Sequence, residues 1–245
     1  MAVILASRDL PVTLLVRSQP EAQELNGRRE QSRFLPGVTF PESLTVDCDV
    51  ERVISPAELI VLAVPSDRVR QNISQISAAI PSGATILSAA KGLELPQGKR
   101  MSQVMEEELP AHLHPGICVL SGPNLAKEII QGKLSSSVVA GQDQDHCRMA
   151  QDVLMSNTFR VYTSDDVTGV ELGGALKNII ALGAGIADGL DAGDNAKAAF
   201  ITRGLVEITR LGVAAGAKPL TFAGLAGLGD LMATCSSRLS RNNSV

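Results

Sequence analysis

Leu59-Ile-Val-Leu-Ala-Val64, followed by Pro65-Ser66, decides the fold. Ile60 to Val64 is apolar at every position, with no alternation. Continuous apolar character over so short a run predicts a strand covered on both faces, as in a parallel sheet. Pro65 then closes it, because proline has no N–H to continue a ladder. Five more β-rich runs accompany it: Val12 to Val16, Ala84 to Ser88, Ile117 to Leu120, Ser137 to Ala140 and Phe159 to Tyr162. Helical patterns fall between most of them, at Asp67 to Ala79, Met101 to Leu109, Asn124 to Gln131 and Asp145 to Met155. Strands alternating with helices imply α/β architecture, a parallel sheet with right-handed crossovers.

Beyond Asp165 the strand signals stop. Thr168 to Leu190 and Asn195 to Leu211 are helical. In the second, Ala199, Ile201, Leu205, Ile208 and Leu211 fall broadly on one face, and Asp194 or Asn195 can cap its start. The expected division is residues 1–165, a doubly wound nucleotide-binding unit, and residues 166–245, a helical unit. Inside the first long helix, Lys177 stands among small and apolar residues, with Asn178 and Asp188 the other polar side chains from Leu172 to Leu190. An ammonium there finds anions, loses its proton or serves a substrate; the alternative is a lysine that snorkels to the surface. Lys177 and Asp188 also interrupt the apolar run, so a buried helix is expected rather than a membrane span.

Composition narrows the function. A net charge of −4, with no Trp and one Tyr, supplies neither the field nor the stacking surface that nucleic acid requires. Cys48, Cys118, Cys147 and Cys235 are widely spaced and, with three histidines, form no metal-ligand pattern. His112 and His114, between Pro110 and Pro115, read as loop residues. Free thiols and the absence of a convincing signal peptide at Met1 to Arg8 suit the cytoplasm.

Ligands of doubly wound sheets bind beyond the carboxyl ends of the strands. Three unusual turns belong there: Val64-Pro65-Ser66, Lys91-Gly92 and Ser121-Gly122-Pro123-Asn124. Lys91 offers an ammonium, Gly122 permits close backbone approach, and Asn124 is placed to cap the following helix, whose N-terminus favours anions. With Lys177 and Arg241 they form an anion-binding cleft. Gly183-Ala-Gly185-Ile-Ala-Asp-Gly189 imitates a dinucleotide fingerprint but is one residue too long and lies within the apolar helix, so close helix packing explains it better. Gly224 to Asp230 is expected to be a loop that delivers Asp230.

These residues resemble a family, the bacterial-type NAD(P)-dependent sn-glycerol-3-phosphate dehydrogenases. The resemblance runs almost end to end: Phe34-Leu-Pro-Gly37, Ala63-Val-Pro-Ser66, Lys91-Gly-Leu-Glu94, Ser121-Gly-Pro123, Gly169 to Asn178, Gly193 to Ala199, Gly224 to Leu231 and Ser237 to Asn242. It implies a Rossmann-like sheet followed by an all-α domain. It also implies an oxidoreductase that interconverts sn-glycerol 3-phosphate and dihydroxyacetone phosphate, supplying glycerol phosphate for phospholipid synthesis. Lys177 matches the catalytic proton acceptor. Lys91, Gly122, Asn124, Asp230, Ser240, Arg241 and Asn242, with Lys177, match positions that hold the substrate. Ala126, Arg241 and Lys91 match dinucleotide contacts. No metal is implied, and among partners a homodimer stays open.

Two departures stand out. Met1 to Ser7 looks like the family's first helix already under way, and Val12 to Arg17 like its second strand. The first strand and its Gly-x-Gly-x-x-Gly turn are therefore expected to be missing, and helices that follow Asn242 in the family are absent before Val245. This predicts a form shortened at both ends. At the end of the Val12 strand the chain reads Leu15-Val16-Arg17-Ser18. An Arg there suits the 2′-phosphate of NADPH, with NADH also open. The competing readings are a related hydroxyacid or ketopantoate-type dehydrogenase, and an inactive fragment.

Overall fold

A computed structural model describes residues 1–236. Seven strands build the α/β part: β1 (Val12–Leu15), β2 (Leu44–Asp47), β3 (Leu59–Leu62), β4 (Thr85–Ser88), β7 (Ile117–Ser121), β8 (Ser135–Gly141) and β9 (Phe159–Ser164). A short hairpin, β5 (Leu93–Glu94) and β6 (Lys99–Arg100), leaves the sheet after β4. Interleaved are α1 (Ala2–Ala6), α2 (Gln19–Arg28), α3 (Val50–Ile54), α4 (Val69–Ile76), α5 (Met101–Glu108), α6 (Ala126–Ile130) and α7 (Gln144–Leu154). The pairing order is β1-β2 in one sheet and β3-β4-β7-β8-β9 in the other. Within these two sheets every pair is parallel except β7 with β8, so the sheet is mainly parallel, as expected.

The two sheets fit one doubly wound plan. In the strand order 3-2-1-4-5-6, β2 and β1 are third and second, and β3, β4 and β7 are fourth to sixth. The first, central position would lie between β1 and β3, and each of these strands pairs on one side only among the described residues. This corrects the expectation for β3. Ile60 and Leu62 are buried under α4 and α5, but Leu59 and Val61 are only half-buried. Leu59 and Val61 pack against the cluster of Leu5, Leu87 and Cys118 on the second face, but that cover is partial.

The amphipathic patterns explain the rest of the packing. In α4, Val69, Ile73 and Ile76 are buried at helical spacing. They join Val104 and Met105 of α5 under β3 and β4. On the opposite face, Cys147, Ala150 and Leu154 of α7 cover Leu87, Cys118 and Val161. Ser18 caps α2 by accepting the Glu21 N–H, and Asp143 caps α7 in the same way. His112 and His114 fall in a 3₁₀ segment, Ala111–Gly116, and not in an irregular loop, because Pro110 and Pro115 suit its tight turns.

The helical domain holds α8 (Val167–Gly189), α9 (Asp194–Ala214), α10 (Pro219–Ala223) and α11 (Asp230–Ser236). The buried face of α9 is Ile201, Gly204, Ile208 and Gly212, while Ala199 and Leu211 are exposed. Glycine lets the ring of Phe222 and the side chain of Ile180 approach where a bulkier stripe was expected. Neither Asp194 nor Asn195 caps α9; its N-cap is Gly193, at φ 84°. Among the described residues, α8 is the one helix that by length and composition could cross a membrane, but half of its most apolar window is buried. It packs against α9 and α11 as a core helix.

Candidate active site

The carboxyl ends of β3, β4 and β7 bring the three turns together. Gly92, at φ 151°, has no room for a Cβ because Ser66 Oγ occupies that space. Gly122, at φ 143°, would place a Cβ 3.0 Å from Ser136 O and from Ser137 Cα. Glycine is required at both positions, by backbone angle and by close approach together. Lys91 Nζ then spans the edge, donating to Gly122 O at 2.9 Å.

Small residues bring α8 onto this edge. A Cβ on Gly173 would meet Ala226 O at 2.5 Å, and one on Gly174 would meet Ser121 Oγ at 2.6 Å. Opposite, Leu225–Gly229 forms a single π-helical turn, and Asp230 opens α11 immediately after it. The expected loop is therefore helical. The glycines serve close packing against α8 and α10, and Asp230 is delivered from a helix end.

Two lysines share one carboxylate at the centre. Lys177 Nζ donates to Asp230 Oδ1, and to Thr234 Oγ1 at 2.7 Å. Lys91 Nζ donates to Asp230 Oδ2 at 2.7 Å. Thr234 in turn donates to Asp230 O at 2.7 Å. Lys177 and Asp230 are buried, with side chains 9% and 3% exposed, so Lys177 does not snorkel to solvent. Burial first, and then the nearby Lys91 charge, lower the Lys177 pKa to about 8 against the opposing pull of Asp230. The result is an amine that changes protonation near neutral pH.

The other sequence candidates divide. Asn124 does not cap α6, whose N-cap is Leu125. Its Oδ1 instead accepts the Ser137 hydroxyl at 2.6 Å, turning the amide toward β8. Ala126 is the exposed first residue of α6. Arg17 lies at the carboxyl end of β1, and its guanidinium joins no ion pair among the described residues. Ser240, Arg241 and Asn242 lie outside the described residues. Thr234 was missed as a site residue, although its spacing of four from Asp230 places both on one helical face.

A dinucleotide fits this edge in part. Arg17 follows the carboxyl end of β1, and Lys91 and Gly122 meet at the carboxyl ends of β4 and β7, the edge at which doubly wound sheets hold dinucleotides. The Gly-x-Gly-x-x-Gly turn that would hold the pyrophosphate is not among residues 1–236. Within the described residues no group of His, Cys, Asp and Glu could hold a metal ion.

Two family descriptions match separate parts of the chain. The family described as NAD-dependent glycerol-3-phosphate dehydrogenase N-terminus matches residues 1–147, and its C-terminus counterpart matches residues 166–245. The chain is 49% identical to a glycerol-3-phosphate dehydrogenase (NAD(P)+) of Dehalococcoides mccartyi, over 100% of this chain and 68% of the relative. It is equally identical, at 49%, to one from Desulfitobacterium hafniense, over 99% of this chain and 68% of that protein. The crystal structure of glycerol-3-phosphate dehydrogenase from Coxiella burnetii superposes with a TM-score of 0.91 at 36% identity, covering 99% of this chain and 73% of that one. A ketopantoate reductase from Ralstonia eutropha, at 17% identity and TM-score 0.58, shares the fold alone. On this evidence the chain belongs to the NAD-dependent glycerol-3-phosphate dehydrogenase family of oxidoreductases.

Proposed function

We propose that the chain interconverts sn-glycerol 3-phosphate and dihydroxyacetone phosphate with NAD(P)H, and that Lys177 moves the proton. The observation that carries this is the buried Lys177 amine, tied to Asp230 beside Lys91 at the carboxyl edge of the sheet. Bound nicotinamide supplies the hydride acceptor or donor. Neutral Lys177 takes the proton of the secondary alcohol as the C–H bond breaks; in reverse, its ammonium polarises the ketone and protonates the forming alkoxide. Asp230 and Thr234 aim the amine, and Lys91 and Gly122 line the substrate side. Asn124, Ser240, Arg241 and Asn242 complete the substrate contacts on the sequence match, with Arg241 holding phosphate by paired charge-assisted hydrogen bonds. Arg17, Lys91, Ala126 and Arg241 contact the dinucleotide, and Arg17 favours NADPH.

The division at 165/166 follows the end of β9 at Ser164 and the start of α8 at Val167. Four free thiols support a reducing, cytoplasmic setting. Supply of glycerol phosphate for phospholipid synthesis is the metabolic role this chemistry suits.

The phosphate clamp is tested by comparing dihydroxyacetone phosphate with dihydroxyacetone. Losing two charge-assisted hydrogen bonds predicts kcat/KM at least about 100-fold lower for the unphosphorylated ketone. Equal rates on both would refute a phosphate-holding role for Arg241.

Lys177 also sets the pH dependence. The amine accepts a proton only when neutral, so glycerol phosphate oxidation should rise with pH and level off above about 8. Ketone reduction needs the ammonium and should fall through the same range. Profiles of kcat/KM in both directions check the opposite signs; two flat profiles from pH 6.5 to 9.5 would remove Lys177 from proton transfer.

A further inference from the structure

One buried acid has no part in this scheme. Glu171 lies on α8, six residues before Lys177, and is only 9% exposed. Its carboxylate is fully engaged by residues of the α/β part. The Ser102 N–H donates to Oε1 at 2.8 Å, and the Ser102 hydroxyl to Oε2 at 2.6 Å. Arg100 Nη1 donates to the same Oε2 at 2.6 Å and to Ser102 Oγ at 2.7 Å. Ser102 is the second residue of α5, so the carboxylate also faces a helix N-terminus. Burial pushes the Glu171 pKa up, and these donors oppose it. A buried ion pair is a poor source of stability, because desolvation offsets most of its attraction. Its geometry is what distinguishes it from an apolar contact.

That geometry links two ends of one segment. Residues 91–102 run from Lys91 through the β5–β6 hairpin to Arg100 and Ser102. At the far end the segment grips Glu171. At the near end the Lys91 stem lies against Gly174, where an added Cβ would be 3.6 Å from Lys91 Cγ and Cδ, and the Lys91 ammonium reaches Asp230. Glu171 and Gly174 are three residues apart, on one face of α8.

We propose that Glu171 is a positioning residue, locking α8 to the Lys91–Ser102 segment so that Lys91 and Lys177 are held on the same Asp230 carboxylate. Glu171 makes no hydrogen bond to Lys177; it acts through the segment and the helix. Among the described residues, the charged groups facing Lys177 are Lys91 from the turn after β4 and Asp230 from α11, with Cys235 of α11 also near. Lys197 of α9 and Asp188 of α8 pair with each other and also act electrostatically on Cys235. Loosening the Glu171 lock withdraws Lys91 and admits water. Both changes return Lys177 toward ordinary lysine behaviour. The proposal rests on Lys177 as the proton-transfer group for its kinetic consequence alone.

The test is Glu171→Gln, with Ser102→Ala as a milder variant that removes one donor. Competitive acetylation with acetic anhydride across pH, read by peptide mass spectrometry, gives the titration of Lys177 directly, with exposed Lys133 as internal reference. In Glu171→Gln the Lys177 midpoint should rise by about one pH unit, with Lys133 unchanged. Ser102→Ala should shift it less, in the same direction. kcat at pH 7.5 for glycerol phosphate oxidation should fall about tenfold in Glu171→Gln, as less neutral amine is present. If Glu171→Gln fails to fold, Ser102→Ala decides alone. A Lys177 midpoint unmoved in the folded variants overturns the proposal. A shifted midpoint with unchanged kcat would keep the lock and instead refute Lys177 as the proton-transfer group.

Discussion

Replacing Lys177 with Ala should lower kcat by about 10²-fold or more while leaving the fold intact, since removing a general acid–base group costs on this scale. The electrostatics explain why the two effects separate. Lys177 and Lys91 each take one oxygen of Asp230. When Lys177 is removed, Lys91 still compensates the carboxylate, so no buried charge is stranded. One of two like charges in a buried site is also relieved. The expected result is therefore a melting temperature close to wild type alongside a large loss of kcat. The residual rate should lose the pH dependence centred near 8 that Lys177 confers. Steady-state kinetics in both directions and a thermal melt check this. Near-normal kcat would make the lysine structural, and collapse of the fold would show that its role in packing had been undervalued.

Much of this site was readable because its logic is local. Ile60 to Val64 announced a strand, and the turns after β3, β4 and β7 carry residues whose backbone demands are visible one at a time. An ammonium in an apolar helix is conspicuous for the same reason. The pairings were not readable. β2, α2 and α3 lack strong periodicity, and Leu44–Asp47 is a four-residue strand with no turn signal that fixes it. The antiparallel β7–β8 pair depends on a connection through α6 that sequence does not orient. Asn124 was expected to cap because Asn is a good cap; the Ser137 hydroxyl, distant in the fold plan, claims it instead. Glu171 stood in the quoted motif without a role, because its partners Arg100 and Ser102 are about seventy residues away along the chain. The glycines before Asp230 suggested a loop, whereas they permit a π turn packed against α8.

Replacing Asp230 with Ala should have the opposite signature to loss of Lys177. It removes the counter-ion of two ammoniums at once, with Asp230 itself only 2% exposed. Breaking a buried charge pair by deleting one partner costs about 3–5 kcal/mol. Here the cost has an escape: Lys177 can lose its proton. Its pKa is already lowered to about 8 by burial and by Lys91, and Asp230 is the group that resists. Without Asp230 it should fall further, so the neutral form prevails at lower pH. The sign follows. At pH 6 the native state of the variant must either bury an uncompensated ammonium or deprotonate a lysine that the unfolded chain keeps charged, and both oppose folding. As pH rises that penalty shrinks, because deprotonating Lys177 costs less. The stability deficit against wild type should therefore be greatest near pH 6 and smaller near pH 9, with Lys91, 22% exposed, able to turn toward water. Activity should be lost across the range, since neither lysine is aimed. Chemical denaturation of both proteins at several pH values measures the deficit directly. A deficit independent of pH would mean that Asp230 stabilises through packing and its place at the start of α11, with the two lysines finding other anions.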